Sequence, residues 1–107
     1  KKQDGELDFT RPAIALERKI RAYTPWPGTF MSWKDSTLKC HRASVNLNAF
    51  EGIKSLEPGT KIVVNKTPAV ITSRGILILD AVQPAGKKIM PGRAFLQGVK
   101  DWGIKVY

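Results

Sequence analysis

The sequence is poor in the side chains that do most enzymatic chemistry. Its 107 residues include one histidine, His41, and one cysteine, Cys40. A lone cysteine excludes an internal disulfide and fits a reducing compartment. No CxxC or HxxxH spacing offers a set of metal ligands. No Gly-rich loop leads into a helix to cradle phosphate, because the nine glycines are scattered as turn residues. No apolar run approaches the ~20 residues that span a bilayer. The first residues lack the apolar core and cleavage pattern of a secretory signal. Cys40 and His41 are adjacent, yet neighbours on a strand point to opposite faces, so they do not read as nucleophile and base. Cys40 reads as a small core or barrel-wall residue. The expected catalytic residues and the expected metal ligands are both none.

Acidic residues are also scarce. Nine Asp and Glu face eighteen Lys and Arg, a formal charge of +9 and a sequence pI near 10.0. Such an excess points to a polyanionic partner. An anionic membrane surface would call for a basic helix with a broad apolar face. The helix described next needs its narrow stripe for its own core, so nucleic acid is the preferred partner and no membrane is expected. Hydrophobic residues make up 42%, ordinary for one folded domain with a modest core.

Residues 9–28 predict one amphipathic helix stopped by a rigid corner. Thr10 is the expected N-cap, Pro12 sits in the first turn, and Phe9 and Ile14 can form a hydrophobic staple. Ala13, Leu16, Ile20 and Tyr23 recur at spacings of three and four and form one apolar stripe. Glu17 can pair with Arg21 one turn on. Pro25, Trp26, Pro27 and Gly28 form the corner, with Trp26 expected to pack between the helix end and the barrel. Residues 29–33 and 37–46 read as a hairpin around a polar turn. Leu38, Cys40 and Ala43 turn inward, Lys39 turns outward, and a bulge is expected near Arg42. Residues 46–59 are loop-like. Residues 60–64 and 69–72 read as strands, and Gly75 supplies a positive φ in the turn after them. Residues 76–82 are apolar on both parities, which predicts cover on both faces, one lining a barrel and one under the helix. Residues 87–90 pair briefly, 91–98 form a short helix ending at a glycine, and 102–107 add a last extended segment. Short strands at regular spacing predict a mainly β fold. The expected form is a small open OB-like Greek-key barrel with an N-terminal amphipathic helix and a short C-terminal helix.

Two motifs carry a family resemblance. Leu16-Glu17-Arg18-Lys19-Ile20-Arg21-Ala22 with Pro25-Trp26-Pro27-Gly28 is the first. Gly75-Ile76-Leu77-Ile78-Leu79 with Gln83-Pro84-Ala85-Gly86-Lys87-Lys88-Ile89-Met90 is the second. In this order they resemble the C-terminal domain of the methionyl-tRNA formyltransferases. The resemblance implies an OB-like tRNA-binding domain over 9–107 and an interdomain linker remnant over 1–8, as the non-Met start also suggests. It implies an N-terminal catalytic domain, outside this chain, that transfers a formyl group to initiator methionyl-tRNA for translation initiation. The cosubstrate would be 10-formyltetrahydrofolate, with no cofactor on the present residues. The parent would be a cytoplasmic monomer. Two alternatives stay open. One is a free-standing OB-type nucleic-acid-binding protein, and the other is the equivalent domain of a sugar-nucleotide or folate formyltransferase.

The candidate RNA-binding residues are Lys39 and Arg42 on the hairpin, Lys87 and Lys88 in the Gly-Lys-Lys segment, and Arg93 beside it. Arg18 and Arg21 on the helix come second. Lys87, Lys88 and Arg93 form the favoured cluster, because they fall within seven residues with one nearby acid, Asp80. Phe9, Trp26, Phe30, Trp33 and Phe95 have core or corner explanations. Phe50, Trp102, Tyr23 and Tyr107 remain as a thin platform for stacking bases, so contact to phosphate and ribose of a folded RNA is expected to dominate.

Overall fold

Helix α1 spans Ala13–Tyr23 in the computed structural model, which describes residues 2–48 and 55–106. Phe50 and Tyr107 of the expected stacking set lie outside the described residues. Ala13, Leu16 and Ile20 of the stripe are buried, and Tyr23 is half-buried. The helix start differs from expectation. Pro12 is the N-cap and makes no side-chain capping bond. Thr10 is engaged elsewhere: its hydroxyl and its N–H donate to Asp8 Oδ1 at 2.6 and 3.0 Å. The Ala13 N–H, which a local cap would have served, donates instead to the Arg74 carbonyl at 3.0 Å. A turn far along the chain thus satisfies the helix end. Ile14 is 39% exposed, so its expected burial against Phe9 is not complete.

The corner holds as a turn: the Gly28 N–H donates to the Tyr23 carbonyl at 2.8 Å. Strand β1 (Thr29–Trp33) then pairs antiparallel with β2 (Ser36–Asn46), from Thr29 opposite Cys40 to Trp33 opposite Ser36. Strands β3 (Lys61–Val64), β4 (Thr67–Ile71) and β5 (Ile76–Pro84) form an antiparallel meander. Gly75 takes φ +85° in its second turn, as expected. Strand β6 (Met90–Pro91) pairs with β5, helix α2 covers Gly92–Gln97, and β7 (Ile104–Val106) lies parallel to β3. The sheet order is β1-β2-β5-β4-β3-β7. Placing β2 beside β5 across a three-strand meander is Greek-key topology.

The sheet is open, and its two ends meet through side chains. Trp33 of β1 and Trp102 before β7 have ring centroids 5.1 Å apart. Lys34 and Asp101 form an ion pair at 3.2 Å across the same gap. The Trp102 indole N–H donates to the Ile62 carbonyl at 2.9 Å, which anchors the tail to β3. Phe95 of α2 completes an aromatic trio, 6.1 Å from Trp33 and 5.7 Å from Trp102. Residues 2–8, part of the stretch expected to run as a linker, lie against the sheet. Lys2–Gly5 form a 3-10 turn, Leu7 is buried, and the Leu7 N–H donates to the Phe30 carbonyl at 2.9 Å.

Strand β5 is covered on both faces, with a different division from the one expected. Leu77 and Leu79 join Leu16 and Ile20 of α1, Leu38 and Cys40 of β2, and Phe95 and Trp102 in the main core. The helix therefore shares the main core with the inward sheet residues instead of covering the reverse face. Ile76 belongs to a second cluster with Ile62, Val64, Ala69 and Ile71, against which Leu56, Ile78 and Val106 pack.

Candidate nucleic-acid interface

The β2–β5 ladder builds the first basic surface. Its register shifts between Cys40 and Arg42 and again between Arg42 and Ala43, which is the expected bulge. Before it, Leu38 and Cys40 face the core; after it, Ala43 and Val45 do. The extra residue keeps the alternation in step with the core while sending Lys39, His41 and Arg42 outward. Lys39 and Arg42 are exposed and His41 is half-buried. Lys39 pairs in register with Gln83 of β5. Gln83 Oε1 and His41 Nε2 are 2.9 Å apart, and Gln83 Nε2 donates to the Lys87 carbonyl at 2.9 Å. With the amide nitrogen committed to Lys87, the Gln83 oxygen is the acceptor, so His41 holds its proton on Nε2 in this bond. Gln83 thereby ties the Lys87-Lys88 turn to the Lys39 ridge. Lys87 and Lys88 are both exposed.

Arg93 goes elsewhere. It lies on α2 and lines a cleft of about 680 Å³ with Lys66, Lys100 and Lys105, whereas Lys87 and Lys88 do not line it. The expected trio therefore does not share this cleft. Lys66, Lys100 and Lys105 escaped the sequence reading. Lys100 and Lys105 flank Trp102 in one short segment, and the pairing of β7 with β3 brings that segment beside Lys66 of the β3–β4 turn. Arg18 and Arg21 are exposed on α1. Arg21 Nε sits 2.7 Å from Glu17 Oε2, the expected pair, which partly neutralises it.

Two aromatic assignments reverse. Trp26 is 84% exposed, because the corner projects its ring away from the sheet. Trp102, left over as a stacking candidate, is 3% exposed within the aromatic trio. Cys40 is buried, and burial alone pushes its thiol up to about 12. It is inert at neutral pH, and His41 faces the other way, so the two form no nucleophilic pair. Among the described residues no group of His, Cys, Asp and Glu could hold a metal ion. No helix there is long and apolar enough to cross a membrane.

The open Greek-key sheet thus carries a basic outer ridge and, beside α2, a second basic cleft. The chain belongs to the formyl transferase C-terminal domain family, whose model matches residues 1–100. It is 37% identical over 102 residues to the methionyl-tRNA formyltransferase of Roseiflexus castenholzii, covering 95% of this chain and 32% of that protein. It is 42% identical over 100 residues to the methionyl-tRNA formyltransferase of Myxococcus xanthus, covering 92% of this chain and 30% of that protein. The chain thus spans about a third of the length of the curated relatives it matches. Among solved structures it is similar to HypX from Aquifex aeolicus in complex with tetrahydrofolic acid, with a TM-score of 0.74. That match has 14% identity and covers all of this chain and 19% of the other. At that identity the likeness is one of fold.

Proposed function

We propose that this chain is the tRNA-holding part of a methionyl-tRNA formyltransferase that formylates initiator methionyl-tRNA in the cytoplasm. A separate N-terminal domain of the same polypeptide would carry out the transfer from 10-formyltetrahydrofolate. The present residues would grip and orient the RNA as part of a monomer. The observation that carries this reading is the Gln83 bridge, which makes Lys39, Arg42, Lys87 and Lys88 one outward ridge on a chain of +9 charge. Four cations on one face suit a phosphate backbone, where each neutralised phosphate releases condensed counterions. Arg18 and Arg21 of α1 would extend the grip, and Arg93 would act from the cleft.

The test uses Lys87→Ala with Lys88→Ala. The double variant should bind every tRNA more weakly by a similar factor. Its salt slope should be shallower by up to about two, one for each phosphate left without its lysine. Fluorescence anisotropy at several salt concentrations measures both. An unchanged slope would remove these lysines from the interface.

A further inference from the structure

The cleft beside α2 is a second site with its own chemistry. Lys66 lies in the β3–β4 turn, Arg93 in α2, Lys100 just beyond it and Lys105 in β7, and all four side chains line one cavity of about 680 Å³. No acidic residue lines it, and none of the four cations has an ion pair among the described residues. The nearby Asp101 is already paired with Lys34. Four like charges around one cavity repel one another, so the site favours a ligand with dense negative charge. The cleft is not only polar. Val63 and Leu96, both half-buried, add an apolar wall. Val63 is the register partner of Lys105, so neighbouring strands present an apolar side chain and a cation side by side. Trp102 also borders the cleft, but its ring is packed on Trp33 and Phe95 and its N–H is bonded, so it strengthens the wall and stacks on nothing outside.

We propose that this cleft binds a nucleotide, with phosphate on Lys66, Arg93, Lys100 and Lys105 and the base against Val63 and Leu96. A nucleotide combines dense charge with a flat, weakly hydrated face, and the cavity offers the complement of each. The RNA reading enters only in preferring a nucleotide to other phosphate compounds. The nucleotide could belong to a single-stranded RNA segment or be free, and the experiment separates these sources.

A labelled single-stranded RNA hexamer is titrated by anisotropy and ATP by calorimetry. The proteins are the wild-type chain, Lys100→Glu with Lys105→Glu, and Lys39→Glu with Lys87→Glu. The two double variants change net charge equally, so a difference between them reports location. Hexamer or ATP binding should weaken about tenfold or more in the cleft variant and much less in the ridge variant. Hexamer binding without ATP binding identifies a strand as the source, and ATP binding identifies a free nucleotide. Leu96→Ala should weaken the nucleotide severalfold while leaving inorganic tripolyphosphate unchanged. Equal weakening by both double variants, or no binding of either probe by the wild type, overturns the proposal. Far-ultraviolet circular dichroism checks folding, and Lys100→Ala with Lys105→Ala replaces the reversal if it unfolds. Loss of tRNA binding in the ridge variant tests the ridge separately, so either site can fail without the other.

Discussion

At the residue scale, burial determines what Cys40 can do. The unfolded thiol ionises near 9.0, whereas the folded one keeps its proton to about 12. Unfolding above pH 9 therefore releases a proton, and stability falls as pH rises. The contribution is whole below pH 9 and is lost progressively from there toward 12. Between pH 7 and pH 10 the wild type should lose about 1.4 kcal/mol that Cys40→Ala does not, at one pKa unit per pH unit above the ionisation point. Urea unfolding at the two pH values measures the difference, and parallel losses in both proteins would contradict it. Trp26 is the opposite case. With 84% of it exposed, little apolar area leaves water on folding. Trp26→Ala should stay within about 0.5 kcal/mol of wild type in urea unfolding. A loss in the range of a buried aromatic, about 3–5 kcal/mol, would place the ring in the core instead.

At the scale of elements, the join between α2 and the sheet depends on Gly92. A Cβ at this position would stand 2.0 Å from the Leu79 carbonyl of β5 and 3.0 Å from Pro68 of β4. The obstacle is backbone, so it cannot swing aside as a flexible side chain would. Gly92→Ala should destabilise the chain by about 1–3 kcal/mol, the ordinary cost of overpacking. Thermal or urea unfolding reads this directly. Because α2 carries Arg93, any shift of the helix should also loosen the cleft. The β2 bulge has a comparable role for the other surface. It lets one strand keep Leu38, Cys40, Ala43 and Val45 inward while Lys39, His41 and Arg42 face out.

At the scale of the whole molecule, the proposed tRNA grip rests on charge. The net charge is +9, and among the described residues Glu17 pairs with Arg21 and Asp101 with Lys34. The ridge and the cleft keep theirs available to an anion. With about four phosphates neutralised, log K for tRNA should fall by roughly three to four units per decade of salt, taking the duplex coefficient as a guide. Phosphate contacts carry little sequence information, so initiator and elongator tRNAs should bind this chain with similar affinity. Competition titrations at fixed salt compare them. A strong preference for initiator tRNA would show base or shape readout on these surfaces.

Local patterns determined much of this protein directly. The apolar stripe of α1, the hairpin, the bulge at Arg42, the positive φ at Gly75 and the short helix after Pro91 follow from periodicity, parity and turn chemistry within a few residues. The excess of Lys and Arg pointed to a polyanion partner without any fold, and that partner stands as a proposal. What needed the tertiary structure was everything set by distant neighbours. Thr10 failed as a cap because Asp8 took its hydroxyl and Arg74 served the helix. Trp26 and Trp102 exchanged roles because burial depends on whether the sheet ends meet at a ring, and they meet at Trp102. Lys87 joined Lys39 through Gln83, while Arg93 joined Lys66, Lys100 and Lys105. Sequence proximity placed Arg93 with Lys87, but Arg93 lines the cleft and Lys87 does not. A site built by long-range pairing has no signature along the chain, since each lysine alone reads as solvated surface.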